Sequence, residues 1–224
     1  MSNLLLSDTF EENTRHASSF RLICENALAP LNRIDKSIDG ASYSSVLRGA
    51  YCLIVAGVDS YLTNFFYDGI SELSRLESKG LCPADFSLNA ERFLLDRCRV
   101  NKKEITDIGV GSTNLDKEML FSKVSGVTFN KSFQFVEIYN LLFERIDESK
   151  FWDLCAGYVP GKNALWLRQT WSLVVQRRNI IMHSGDLDIR GAALQPFEPE
   201  FVENALLGSA AVISVFEKQS LHLF

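Results

Sequence analysis

Residues that build disulfide frameworks and zinc sites are scarce in this sequence. Its 224 residues include five cysteines and three histidines. The cysteines form no C-x-x-C pair and their number is odd, which favours reduced, buried thiols in a cytosolic protein over a disulfide framework. His16 and His222 lie near the termini without neighbours at ligand spacing, so we expect no metal. The cysteines are Cys24, Cys52, Cys82, Cys98 and Cys155.

Long apolar runs and a basic excess are also lacking. The longest apolar stretch, around residues 50–58, is far shorter than a bilayer-spanning helix. The first residues lack the basic segment and long apolar run of a signal peptide. These absences predict a soluble, cytoplasmic protein with no membrane partner. A formal net charge of -5 and a pI near 5.3 exclude a surface coated with basic residues, so nucleic-acid binding would need a local patch.

Several common catalytic motifs are absent. The sequence contains no glycine-rich phosphate loop, no G-x-S-x-G and no H-E-x-x-H. These absences exclude the usual nucleotide-binding, serine-hydrolase and zinc-protease classes, and we expect no cofactor.

Helical periodicity is what the sequence has in abundance. Apolar residues recur at helical spacing and no sustained alternation of period two occurs, which predicts an all-α fold. We expect a single domain over residues 1–224. Residues 1–43 would form an N-terminal helix and connector, and residues 44–224 a bundle with an irregular insertion at about 81–130. The segments expected to be helical are 10–29, 45–80, 132–146, 161–183 and 198–219.

The segment QRRNIIMHSG, residues 176–185, ends one of these helices with an unusual set of polar residues. A helical projection places Arg178 in the middle of an apolar arc, where a core residue is expected. The opposite side carries a continuous polar stripe that we expect to line a cleft. The arc comprises Leu167, Trp171, Val174, Ile181 and Met182, and the stripe comprises Arg168, Ser172, Gln176, Asn179 and His183.

The end of this helix suits proton transfer. Gly185 is a natural residue to follow a helix C-terminus, which puts His183 in the last turn, where the helix dipole favours a protonated imidazolium. Arg178 and His183 are roughly 140° apart on an ideal helix, so one straight helix does not aim both at a small target. Either the arginine bends around the helix or a second chain supplies one group. A purely structural alternative is that His183 caps the helix and Arg178 pairs with a buried carboxylate such as Asp59.

The sequence RNIIMH, Arg178 to His183, resembles the Arg-Asn-x3-His signature of the HEPN superfamily. The upstream segment AYCLIVAGVDSYLTNFF is similar to the helix that precedes this motif in the RiboL-PSP type, and the resemblance extends from Ser44 to the C-terminus. It implies an α-helical bundle and a metal-independent endoribonuclease. It also implies a homodimer whose facing motif helices form a composite active site, which would resolve the 140° separation.

The resemblance also implies roles for individual residues. His183 would act as general base or acid on the ribose 2′-hydroxyl or the leaving oxygen, and Arg178 would stabilise charge on the scissile phosphate. Asn179 would orient the imidazole or bind the phosphate. Cleavage would leave a 2′,3′-cyclic phosphate and a 5′-hydroxyl. Secondary RNA contacts are expected from Arg177, Gln176 and Ser184, although Arg177 could instead belong to a solvated face. Asp59 and Tyr61 are expected to support the site from behind, and the alternative for both is ordinary packing in the core.

The family's biology suggests a toxin or antiviral effector, controlled by an antitoxin or other regulatory partner. Gly185 occupies the position at which some HEPN toxins carry a tyrosine that a partner nucleotidyltransferase modifies, which argues against that route of control. A different class of function is a non-catalytic HEPN dimer that binds RNA or protein as a scaffold. A third is a monomeric helical interaction module.

The densest basic run is DRCRVNKK, residues 96–103. It is typical either of a solvated helix end or of a surface that contacts an RNA backbone, because phosphate contacts provide much of nucleic-acid affinity.

Overall fold

The protein is all-α, as its periodicity predicts. A computed structural model describes residues 15–33, 40–77, 79–80, 85–112, 114–187 and 193–220, and no strand occurs among them. An isolated antiparallel bridge joins Leu187 to Leu194. A 3₁₀ turn spans Ala29–Asn32. The nine α-helices of the described residues are α1 (Arg15–Leu28), α2 (Gly40–Glu77), α3 (Phe86–Arg97), α4 (Lys102–Ile108), α5 (Lys117–Val124), α6 (Ser132–Leu142), α7 (Glu148–Ala156), α8 (Ala164–Ser184) and α9 (Pro199–Ser220).

The 38-residue helix α2 is the centre of the bundle. Its first half is apolar on most sides, and α1, α8 and α9 pack around it. Gly57 allows α1 to approach closely, because a Cβ atom there would lie 3.1 Å from Cδ2 of Phe20. The carbonyl of Val174 in α8 accepts a hydrogen bond from the buried Tyr51 hydroxyl at 2.7 Å, which ties α8 to α2. The helix that carries the candidate site is therefore anchored to the core.

Aromatic rings fill the space between α2, α6, α7 and α9. Phe65, Tyr139, Phe151 and Phe216 are fully buried, and the Phe216 ring centroid lies 5.4 Å from that of Phe65 and 6.0 Å from that of Phe151. Burying such a side chain stabilises the fold by about 1.5–3 kcal/mol. The core is thus continuous across four helices that are distant in sequence.

Residues 81–130, expected to form an irregular insertion, contain three short helices that join the same core. Asn101 begins α4 with a capping box, since its side chain accepts from the Glu104 N–H at 3.0 Å and its own N–H donates to Glu104 Oε2 at 2.9 Å. Phe93 and Phe129 are buried against Phe66 of α2. The region is therefore packed against the bundle. Residues 81–84 and 113 lie outside the described residues.

At two places the helices differ from those that the periodicity of the sequence predicts. Helix α6 ends at Leu142 rather than near Ile146, because Asn140 exchanges side-chain hydrogen bonds with the N–H and C=O of Ile146 at 2.9 and 3.0 Å. A further helix, α7, follows, capped by Asp147, whose carboxylate accepts from the Lys150 N–H at 2.8 Å. A side chain that bonds distant backbone groups competes with helix continuation.

Cysteines and apolar helices bear on the expected compartment. Cys24, Cys98 and Cys155 are buried free thiols and Cys52 is a half-buried one, while Cys82 lies outside the described residues, as does His222. The prediction that no segment reaches bilayer length counted uninterrupted apolar runs only. By length and composition, α2 and α9 could each cross a membrane, although helices of a soluble core pass the same test and 67% of the α9 window is buried.

Candidate functional site

The helix that carries the candidate site ends where its sequence predicts and begins three residues later than predicted, at Ala164. Asn163 caps α8 by accepting from the Trp166 N–H at 2.8 Å. At the other end, Gly185 adopts the left-handed conformation with φ of 64° and its N–H donates to the Ile181 carbonyl at 3.1 Å. His183 therefore lies in the last turn of α8, exposed to solvent.

A groove of about 380 Å³ runs along one side of α8. Its other wall is the start of α6 with the residues before it, including Lys131 and Phe133. The prediction that the polar stripe lines a cleft is confirmed for its first four members, and His183 does not line the groove. The α8 side chains in the lining are Arg168, Trp171, Ser172, Val175, Gln176 and Asn179.

The predicted apolar arc is correct only for the first half of α8. Leu167, Trp171 and Val174 are buried, but Ile181 is half-buried and Met182 is 57% exposed. The buried face of α8 stops at Val175, since the core does not cover the last turns of the helix. The end of α8 consequently projects polar and apolar side chains together into solvent.

Arg178 lies half-buried in the part of α8, beyond Val175, that the core no longer covers. Its Nη1 donates to Asn179 Oδ1 at 3.2 Å, and its Nε is buried without a hydrogen-bond partner. No described carboxylate comes within ion-pair distance of its guanidinium. The alternative in which Arg178 forms an ion pair with Asp59 is therefore not realised among the described residues.

Asp59 nevertheless remains in the neighbourhood of Arg178. One oxygen of Asp59 accepts a hydrogen bond from the Phe129 N–H. Burial raises the pKa of Asp59, and this effect outweighs the Phe129 hydrogen bond and the positive charge of Arg178, which both lower it. The same guanidinium charge also reaches the Cys52 thiol, whose pKa burial raises.

Tyr61 does not support the site as the sequence suggested. Its hydroxyl is buried and donates to Glu217 Oε1 of α9 at 2.6 Å. Burial, with the adjacent Glu217 carboxylate, raises the pKa of Tyr61 well above its usual value. Two residues along α2 correspond to about 200° around the helix, so Tyr61 and Asp59 face different neighbours. Tyr61 belongs to the packing between α2 and α9.

Arg177 is the clearest correction to the predicted RNA contacts. Its side chain is 14% exposed, and its Nη2 donates to Asp186 Oδ2 at 2.8 Å. Its Nη1 donates to Gln195 Oε1 at 2.6 Å, and its guanidinium lies 5.4 Å from the ring centroid of Phe201. Arg177 is therefore a largely buried residue whose guanidinium is engaged within the fold, and it is neither solvated nor available to a strand of RNA.

The partner of Arg177, Asp186, is the centre of a buried ionic cluster that sequence analysis missed. Asp186 is fully buried with φ of 63°, and its Oδ2 also accepts from Arg48 Nε at 2.6 Å. Arg48 donates further to the Gln195 carbonyl at 2.5 Å and to Ser44 Oγ at 2.6 Å. The only signal in the sequence was an arginine inside the apolar helix α2. We name Arg48, Arg177 and Asp186 the ionic cluster.

The remaining predicted residues are exposed and form local contacts. Gln176 Nε2 lies 3.3 Å from Ser172 Oγ, and Ser184 Oγ donates to the Ile180 carbonyl at 2.7 Å. Within the described chain, no hydrogen bond joins Asn179 to His183, so the amide does not orient the imidazole here. The structure thus joins Arg178 to Asn179 by a hydrogen bond and to Asp59 only by the effect of its charge, and His183 contacts none of the three through a described hydrogen bond.

The fold and the site define an all-α protein with a polar groove beside a helix whose last turns present an unpaired arginine and an exposed histidine. Comparison with known family models, curated proteins and solved structures finds no match to this chain.

Proposed function

We propose that the chain is a metal-independent endoribonuclease of the HEPN type. The observation that carries this proposal is the state of Arg178 and His183. Both lie at the end of α8, and neither has a carboxylate partner in the described parts of the chain, whereas the adjacent Arg177 is paired. A guanidinium without a carboxylate can bind a phosphodiester, and an exposed imidazole can exchange protons with a substrate.

In the proposed reaction, His183 removes the proton of a ribose 2′-hydroxyl, and the oxygen attacks the adjacent phosphorus. The bond from phosphorus to the 5′-oxygen breaks, and that oxygen leaves as a hydroxyl with a proton from solvent water, while His183 returns the proton it removed to solvent. The products are a 2′,3′-cyclic phosphate and a 5′-hydroxyl. Arg178 stabilises the negative charge that grows on the phosphoryl oxygens. Asn179, which accepts from Arg178, positions the guanidinium rather than the imidazole.

The proposed enzyme is a homodimer in which two α8 ends face each other. Support comes from two large apolar side chains exposed on one face of α8: Leu173 and Ile180 are seven residues apart, which is about 20° around the helix, and are 64% and 38% exposed. Exposed apolar groups that cluster on one surface are typical of protein interfaces. Such pairing allows His183 of one protomer to act with Arg178 of the other, which meets the roughly 140° separation of the two side chains on one helix.

The biological role that fits this activity is a cytoplasmic toxin or antiviral effector held in check by an antitoxin or other regulatory partner. The support for this role is the resemblance of the segment RNIIMH to the family signature. The competing function is a scaffold that binds RNA or protein through the same surface without cleaving.

Cleavage assays with single substitutions test the proposal. Total cellular RNA is incubated in EDTA with the wild-type protein, His183→Ala, Arg178→Ala and Gln169→Ala, an exposed α8 residue without an assigned role. We expect 5′-hydroxyl ends from the wild type and Gln169→Ala, and a rate reduced by about 10²–10⁴-fold in the other two variants. Sedimentation of each variant checks that the dimer is intact. Absence of cleavage by the wild type, or full activity of His183→Ala, would show the enzyme hypothesis to be wrong.

A further inference from the structure

A second groove of about 380 Å³ lies between α3 and α6, outside the residues assigned to the candidate site. Arg92, Arg97 and Arg145 line it together with Asp96 and Glu137. Arg97 donates through two nitrogens to the two oxygens of Glu137, so this pair is neutral. Arg92 and Arg145 are exposed, and no described carboxylate lies within ion-pair distance of either. The groove therefore presents two unpaired guanidinium groups.

Helix α6 connects this groove to the one along α8. Phe133, at the start of α6, lines the α8 groove, whereas Glu137, one turn later, lines the α3–α6 groove. Phe133 is 42% exposed, and one cation from each groove lies near its ring. Arg97 lies 5.2 Å from its centroid and Lys131 lies 5.9 Å away. One exposed aromatic side chain of the α8 groove thus contacts a cation of each groove.

Charge along this path contrasts with that of the whole protein. The two grooves contain five cationic side chains against three carboxylates, while the chain has a net charge of -5. Two of the three carboxylates, Glu137 and Glu148, are already paired with Arg97 and Arg168. The cations are Arg92, Arg97, Lys131, Arg145 and Arg168. This is the local basic patch that nucleic-acid binding by an acidic protein requires.

We propose that the α3–α6 groove binds the phosphodiester backbone of a single-stranded RNA that continues past Phe133 into the groove along α8. The proposal rests on the proposed function, because it assigns the scissile phosphate to the end of α8. A strand fits better than a single anion, because the unpaired cations are distributed over two connected grooves. Its repeating phosphates match that distribution.

RNA-binding measurements in the His183→Ala background separate this proposal from catalysis. The probe is a fluorescent RNA longer than the roughly 16 nucleotides that one single-strand site covers. The test variant carries Arg92→Ala with Arg145→Ala. The control carries Arg33→Ala with Lys218→Ala, two exposed cations outside both grooves that give the same change in charge. Kd is measured for each protein over a series of salt concentrations.

We expect the test variant to bind about tenfold more weakly than the control, with a slope of log K against log salt that is smaller by about 1.4, since each lost single-strand phosphate contact contributes about 0.7. Equal affinities of test and control variants would overturn the proposal, and so would an absence of RNA binding. Adenosine monophosphate that binds as tightly as the strand would instead assign the groove to a free nucleotide. Polyglutamate that displaces RNA at equal charge concentration would assign it to an acidic protein. Both results would overturn the proposal.

The failures of the two proposals are distinguishable. If the test variant loses RNA affinity but no protein cleaves RNA, the proposal of RNA binding in the groove is supported and the proposed endoribonuclease activity is wrong. If His183-dependent cleavage is present but substitution of Arg92 and Arg145 does not affect RNA affinity, the proposed endoribonuclease activity is supported and the proposal of RNA binding in the groove is wrong.

Discussion

Arg177 and Arg178 are consecutive residues on α8, yet they lie in opposite environments. Arg177 is buried against Asp186, Gln195 and the ring of Phe201, with its two terminal nitrogens bonded. The Nε of both arginines is buried without a hydrogen-bond partner, but the one hydrogen bond described for the Arg178 guanidinium is a long one, at 3.2 Å, to its neighbour Asn179. Successive helix residues point about 100° apart, so Arg177 meets the segment after Gly185, whereas Arg178 points to a side of α8 where no described carboxylate pairs with it.

This difference separates a stabilising region from the proposed active site within a single turn. The ionic cluster ties the chain beyond Gly185 to α2 through Arg48, which fixes the end of α8. The residues of the proposed active site contribute few contacts to the fold. Functional groups that are poorly satisfied in the free protein are common at sites that bind a ligand, because the ligand completes their interactions.

The largest expected effect comes from the carboxylate shared by the ionic cluster. Asp186→Asn retains the shape of the side chain and its tolerance of a positive φ but removes the charge between two buried arginines. We expect a loss of about 3–5 kcal/mol in the free energy of unfolding, because unpaired buried charges remain. Urea unfolding measures it, with the exposed Asp153→Asn as the control. An unchanged midpoint would mean that the cluster does not stabilise the fold.

Single alanine substitutions of the two arginines test the comparison directly. Arg177→Ala is expected to lower the free energy of unfolding by about 2 kcal/mol, because hydrogen bonds to a buried carboxylate are lost. Arg178→Ala is expected to change it by less than about 0.5 kcal/mol, since no ion pair is broken. Under the proposed function, RNA cleavage responds in the opposite order when both proteins are assayed well below their unfolding midpoints. Equal stabilities would contradict the contrast between the two arginines.

A smaller effect is expected at the boundary between the two regions. Gly185 has φ of 64°, and a Cβ atom added there would meet no neighbouring atom within 4 Å, so Gly185→Ala introduces backbone strain without a clash. The expected cost is about 1 kcal/mol. Thermal unfolding of this variant is compared with that of Gly126→Ala, where φ is not positive and the added Cβ meets only ordinary contact at 3.8 Å. A cost at Gly126 equal to that at Gly185 would exclude conformational strain as the cause.

The smallest expected effect is a difference in pH dependence between two aspartates of α2. Burial raises the pKa of Asp68, but hydrogen bonds and charges from His16 and Arg15 outweigh burial and lower it overall, whereas burial leaves the pKa of Asp59 raised. Asp68 therefore stabilises the fold above its usual pKa of 3.8, and this contribution disappears as pH falls through the lowered value. Ionised Asp59 destabilises the fold at neutral pH, and protonation removes that cost as pH falls.

Unfolding of Asp68→Asn and Asp59→Asn between neutral pH and about pH 3 measures this contrast around the usual carboxyl pKa. On acidification, the wild type should lose its advantage over Asp68→Asn and gain relative to Asp59→Asn. Parallel curves for the two variants would show that the two carboxyl groups do not differ in this way.

Features of the site that depend on neighbouring residues in the chain could be predicted. The all-α fold, the helix that ends before Gly185 and the polar stripe along α8 follow from periodicity and capping, which are local properties. The bounds of the short helices between residues 85 and 130 could not be predicted, because their periodic segments are brief and their stability comes from packing against α2. Helix α7 is also brief and was missed because its stability comes from packing against α6, α8 and α9.

By itself, then, the sequence determined that α8 would present Arg178, Asn179 and His183 near its C-terminus. Only the tertiary structure decided that Arg177 forms an ion pair with Asp186, that Tyr61 donates a hydrogen bond to Glu217 and that Met182 is exposed. The physical reason is distance along the chain. Arg48 and Asp186 are 138 residues apart, and no local pattern specifies which buried charges will meet when helices so far apart in sequence pack together.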